Sequence, residues 1–199
     1  MKHVATLFAI ALAACSTSLP TRYVIEHDLG PYHYRRYQET LDAEIPIAGN
    51  RAHGHTAAYL KRSTRGVDAI SAFVTVYERP AKLTERLRSE LAALPGFELK
   101  TEKVAGQYAW LLASSSEASF WIWPSGQYVV KLGAPVGQSL PDSIAAPYAD
   151  LYPSDLDSFG HAREGAASGG SEPEAEEKDE ATPNPSEKPS TLAEAKTKR

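Results

Sequence analysis

Few residues in this chain have the type and spacing to do chemistry. His53-Gly54-His55 sets two imidazoles two positions apart, on one face if the backbone is extended. Zinc asks for three or four ligands. Carboxylates such as Glu44 and Asp68 could join only by folding, and Gly54 favours a loop, so the pair reads as an exposed polar loop. His27 and His33 flank a turn and read as surface residues. Ser114-Ser115-Ser116 has no partner suggested by spacing and reads as a turn. Asp155 and Asp157 sit near the end of the folded region, where solvation is the ordinary role. The chain has no G-x-S-x-G, S-x-x-K, H-E-x-x-H or P-loop pattern. No catalytic residue, metal or cofactor is expected.

Aromatic residues offer a second kind of chemistry, that of binding. In Phe120-Trp121-Ile122-Trp123, neighbours on a strand point to opposite faces. Phe120 and Ile122 share one face, Trp121 and Trp123 the other, and both faces are apolar. Either both are covered in a two-layer core, or one is presented to a lipid, glycan or protein. On the second reading the ligand-binding residues are Trp121 and Trp123, joined by Trp110 and Tyr128. A large exposed apolar patch marks an interaction site.

The sole cysteine is the third case. Met1-Lys2-His3 is a basic head, and residues 4–14 follow without a charge. As a helix that run covers about 16 Å at ~1.5 Å per residue, short of the ~30 Å hydrocarbon core. It reads as a signal-peptide core. Leu12-Ala13-Ala14-Cys15 at its end resembles the lipobox of bacterial lipoproteins: a leucine, two small residues and a cysteine. The resemblance covers only these first residues. It implies that Cys15 becomes the first mature residue, with a diacylglyceryl group on its sulfur, and so is free for neither a disulfide nor a metal. Two or three acyl chains anchor a protein stably, where one does not. In that family the residue after the cysteine influences sorting, and Ser16 is not the inner-membrane aspartate, which favours the outer membrane.

The elements around these residues set the frame. The formal charge of −4 argues against nucleic acid, which asks for a basic footprint. Residues 1–14 are the signal peptide, 15–20 the anchor and a short linker, 21–160 one globular domain, and 161–199 an acidic tail. From Glu172 to Glu180 the tail carries six acids against Lys178, and Leu192 is its only apolar residue besides alanine. Such composition stays disordered, with a reach of about 35 Å as a flexible linker.

The domain reads as α+β: an antiparallel meander with one clear and one weaker helix. Tyr23-Val24-Ile25, Tyr32 to Tyr37 and Leu41 to Ile47 have strand character, the last by alternation. Four strands are expected over 97–104, 107–113, 119–123 and 127–132. A helix from Pro80 carries Leu83, Leu87, Leu91 and Leu94 as one stripe and stops at Pro95-Gly96. The weaker helix is expected over about Asp142 to Leu151, or only from near Ala146, since Pro147 would break an interior turn. Ala58-Tyr59-Leu60 then 73–77, and Ala109-Trp110-Leu111 then 128–132, suggest a strand–strand–helix unit used twice.

These features predict an envelope lipoprotein, held to the membrane through Cys15, with a non-catalytic binding or scaffolding domain. Its tail would reach toward an envelope protein or the cell wall. A lipid carrier would need a sizeable apolar cavity between sheet and helix. A hydrolase would need a cleft with convergent polar groups.

Overall fold

A computed structural model describes residues 18–40, 43, 45–64, 66–113 and 118–165. The expected signal peptide, Cys15, Ser114 to Ser116 and residues beyond 165 lie outside the described residues. The fold is α+β, with one antiparallel seven-stranded sheet and two helices. The strands are β1 (His33–Thr40), β2 (Ala52–Ser63), β3 (Gly66–Tyr77), β4 (Glu98–Val104), β5 (Gln107–Ala113), β6 (Ala118–Ser125) and β7 (Tyr128–Pro135). Helix α1 (Leu83–Ala92) follows β3 and α2 (Asp142–Leu151) follows β7. The spatial order β1-β2-β3-β7-β6-β5-β4 places β3 beside β7 at the centre. The four strands expected between the helices are all present.

Register assigns every side chain to a face. Tyr59 pairs with Ile70, Ala72 with Leu132, Val74 with Val130, and Val130 with Trp123, so these line one face. Trp110 pairs with Ile122 and Ile122 with Lys131, which line the other. Helix α2 covers the first face: the Tyr148 hydroxyl meets that of Tyr59, and the Tyr152 carbonyl accepts the Trp123 indole N–H. Helix α1 lies over the second, beside Gly160 and His161, and Gly160 seats the Trp110 indole. Both faces of the sheet are therefore covered, by a helix each. The two similar stretches fall on β2, β3 and α1 and on β5, β7 and α2, but β6 lies between β5 and β7, so the second stretch is not a strand–strand–helix unit like the first.

Local chemistry explains the elements. Ala105 and Gly106 both take positive φ, the two-residue turn whose twist suits a hairpin, and join β4 to β5. The edges are protected: β4 carries Glu98, Lys100, Glu102 and Lys103, and β1 is irregular between Tyr34 and Arg36. In α1, Leu83, Leu87 and Leu91 are buried. The helix starts at Leu83 rather than Pro80, because Lys82 is left-handed at φ 55° and cannot continue a helix backwards. It ends at Ala92, so Leu94 leaves the stripe and is exposed. Helix α2 spans the expected residues in spite of Pro147; burial of Ile144, Ala145, Tyr148 and Ala149 outweighs the lost backbone bond.

Two expected strands take other forms. Of Leu41 to Ile47, the described residues belong to no strand, and the Ile45 carbonyl instead accepts the Tyr77 hydroxyl at 2.6 Å. Tyr23-Val24-Ile25 is a strap across the first face of the sheet. Its backbone bonds to side chains instead of a neighbouring strand. The Ile25 N–H donates to the Tyr148 hydroxyl at 3.1 Å, and the Tyr59 hydroxyl donates to the Ile25 carbonyl at 2.5 Å. Tyr59 has thereby spent its one proton, so Tyr148 is the donor in the 2.8 Å bond between the two hydroxyls. A third tyrosine, Tyr152, donates to the Tyr23 carbonyl at 2.6 Å.

Removing one hydroxyl from this buried ring should leave its partners unsatisfied. Tyr148→Phe is expected to lower stability by about 1–3 kcal/mol. Urea denaturation of Tyr59→Phe, Tyr148→Phe and the double variant should show the double losing less than the sum; additive losses would mean the hydroxyls act independently.

Candidate functional site

The aromatic strand comes first, because it carries the expected binding residues. Trp110, Trp121 and Trp123 are buried, at 1%, 6% and 0% exposure. Each indole N–H is committed inside the domain: Trp110 to the Gly160 carbonyl at 3.0 Å, Trp121 to Glu102 at 3.3 Å, and Trp123 to the Tyr152 carbonyl at 2.7 Å. The expected surface patch is therefore absent at these three residues, because α2 and the 152–160 segment lie over them. Alternation gives the side that an indole faces and leaves open what covers it. Tyr128 is half-buried and stacks obliquely between Tyr23 and Tyr152, with ring centroids 5.8 and 5.4 Å away. Phe120 is half-buried on the opposite face, under the Lys131 ammonium at 4.3 Å.

The space between α2 and the sheet, where a carrier would hold its lipid, is occupied by Tyr59, Tyr148, Trp123, Val130 and Leu132, each fully buried. An apolar groove of about 390 Å³ does run between the strap and α2, lined by Pro20, Val24, Ile25, Leu29, Pro147 and Leu151, but it is open to solvent. Asp155 and Asp157 act as pins. The Asp155 carboxylate accepts the Gly126 N–H at 2.6 Å; its partial burial raises its pKa and that hydrogen bond opposes the rise. One Asp157 oxygen accepts the N–H groups of His161 and Phe159, each at 2.9 Å, which hold its carboxyl below the usual range.

The histidine pair is the place where polar groups gather. His53 and His55 lie on β2 and not in a loop, since Gly54 pairs with Thr75 on β3 and with Thr40 on β1. Their phase, two and four residues before Ala57, points them to the first face, toward α2 and the strap. His55 is only 5% exposed. Its Nδ1 lies 2.8 Å from the Tyr37 hydroxyl, and that hydroxyl lies 3.4 Å from Glu39. Its Nε2 is buried with no hydrogen-bond partner. The Tyr23 ring covers it at 4.7 Å, and the His53 ring meets it edge-on at 5.1 Å. Burial pushes the imidazole below its usual pKa; a charge on His53 pushes the same way, and Glu39 opposes. Tyr37 is shifted up, first by burial and then by Glu39. Two imidazoles do not make a zinc site, and among the described residues no three His, Cys, Asp or Glu side chains are grouped for a metal. Sequence reasoning placed this pair on the surface; the period-two continuation from Ala57 and Tyr59 was the signal that locates it.

No family model, curated protein or solved structure matches the chain.

Gly160 has φ +72°, and a methyl group there would run into the Trp110 indole and Thr101. Gly160→Ala should therefore cost about 2–3 kcal/mol by left-handed strain and overpacking, read by urea denaturation. In the unaltered protein, iodide should quench tryptophan emission weakly; strong quenching would mean the indoles are open to solvent.

Proposed function

We propose that the protein is a lipid-anchored protein of the bacterial cell envelope, attached through Cys15, with its folded domain serving as a non-catalytic binding or scaffolding module at the membrane surface. The observation that carries this reading is Leu12-Ala13-Ala14-Cys15, whose cysteine directly follows the uncharged run of eleven residues, 4–14. The fold is compatible with close tethering. Pro20 already belongs to the domain, since its carbonyl accepts the Tyr23 N–H at 2.9 Å. Only residues 16–19 then separate Cys15 from the folded body, a reach of about 14 Å at ~3.5 Å per residue. Among the described residues no helix is long and apolar enough to cross a membrane.

The non-catalytic part of the reading is supported by where the polar groups are spent. The hydroxyls of Tyr59, Tyr148 and Tyr152 that hold the strap, both pinning aspartates and the three indoles bond to the protein's own backbone and side chains. The partner, on this reading, is an envelope protein or the cell wall met through the tail, and Ser16 favours the outer membrane.

Growth of the host on a labelled fatty acid tests the anchor. Label is expected on the mature protein and absent from Cys15→Ser, which should also partition away from the membrane fraction. An unlabelled native protein, indistinguishable from Cys15→Ser, would overturn the reading.

A further inference from the structure

The strap that leads from the linker into the domain is held at two places of different chemistry. At Ile25 it is held by the hydroxyls of Tyr59 and Tyr148. Burial raises the pKa of both hydroxyls far above their usual range, so they stay neutral donors. At Tyr23 it is held by ring packing over His55, His53 and Tyr128 and by one hydrogen bond, from the Tyr152 hydroxyl to the Tyr23 carbonyl at 2.6 Å. Tyr23 sits there at φ +61°, a left-handed conformation that an L residue adopts at a cost. The docked geometry must therefore repay that strain.

We propose that the Tyr23 end of the strap is a proton-operated latch: charging His55 releases residues 20–24 from the sheet while the bonds at Ile25 hold. With the Tyr37 hydroxyl proton directed to Glu39, a neutral imidazole can sit where His55 sits as the tautomer whose Nδ1–H donates to the Tyr37 oxygen, leaving Nε2 a bare buried nitrogen. An imidazolium carries a proton on both nitrogens, and Nε2 is then a buried donor with no protein acceptor. The least disruptive remedy is to lift the Tyr23 ring and admit water, which can then take the place of the Tyr152 hydroxyl on the Tyr23 carbonyl.

The charged and titratable groups around His55 are few and come from every packed element. From the strap come Tyr23 and, over the Tyr37 ring at 4.7 Å, Arg22, which is ion-paired with Glu26 at 3.0 Å. From β1 come Tyr37 and Glu39. From β2 comes His53, which repels His55 when both are charged. From β7 comes Tyr128, from the end of α2 Tyr152, and β3 presents only Val74 opposite His55. Glu39 is the one carboxylate across from the ring, and burial outweighs it.

The sign follows from the downward shift. Because the docked His55 binds its proton less readily than a free imidazole, docking is fully favoured above the free value of about 6.5 and weakens as pH falls below it. Release would free five residues up to Ile25, adding about 17 Å of tether at ~3.5 Å per residue. The latch stands without a lipid; only its consequence, a domain allowed further from the bilayer in acid, rests on the anchored reading.

The test uses the full chain with Cys15→Ser, so its outcome is independent of fatty-acid labelling. Amide exchange at Tyr23 and Val24, corrected for intrinsic rates, should be at least about tenfold faster near pH 5 than near pH 7.5, with Ile25 unchanged. His55→Phe keeps a ring under Tyr23 and should abolish the difference. Equal protection at the two pH values, or a difference that survives in His55→Phe, would overturn the proposal. Should His55→Phe fail to fold, the His55 ring titration followed by NMR in the unsubstituted histidine background decides: a midpoint below about 6.5 supports the latch, and one at or above it overturns it.

Discussion

The ring of hydrogen bonds among Ile25, Tyr59 and Tyr148 is the constraint around which the first face of the sheet is assembled. It joins a central part of β2, the middle of α2 and the strap, three elements that are distant in sequence. Each group in it both gives and receives within the ring, so burial leaves nothing unpaired. Such a ring resists piecemeal change, since a missing member strands two others in a site without water. Its presence also explains how a segment rich in Tyr, Val and Ile avoids becoming an eighth strand. Its backbone groups are satisfied by side chains reaching up from the sheet, and it has no need of a ladder.

That substitution of partners is also where the sequence is hard to read. The meander from β4 to β7 is legible because its signals are local: alternation, hairpin-length gaps and turn residues such as Ala105-Gly106 and Gly126. The stripe of α1 is legible for the same reason, although its first turn is lost to Lys82. The strap is not, because its conformation depends on hydroxyls contributed from positions 59, 148 and 152, more than thirty residues away. His53 and His55 are misread through Gly54. A glycine flanked by polar residues resembles a loop, yet here it is a ladder residue between β1 and β3, and Thr40 donates to its carbonyl at 3.3 Å.

The tryptophans show a different limit. The alternation of Phe120 to Trp123 correctly divides the strand into two apolar faces. It says nothing of the covering elements, and the cover is drawn from both sides: α2 with Tyr152 over Trp121 and Trp123, α1 with Gly160 over Ile122 and Trp110. Seven strands between two helices bury far more indole than one helix on one face could.

The two attachments of the strap lie in series between the linker and the domain, and this order has a mechanical meaning. On the anchored reading, tension from the membrane reaches Pro20 first, then Tyr23, and only then the tyrosine ring at Ile25. The outer attachment is the ring packing of a strained residue, Tyr23, with its N–H groups bonded only within a tight turn, Tyr23 to Pro20 and Val24 to Arg22, and a single hydroxyl, that of Tyr152, on the Tyr23 carbonyl. The inner one is buried, fully hydrogen-bonded and indifferent to pH across the range in which histidine titrates. A pull or a proton should therefore open the first and stop at the second. The strap then lengthens the tether by a fixed amount without exposing the core that α2 covers.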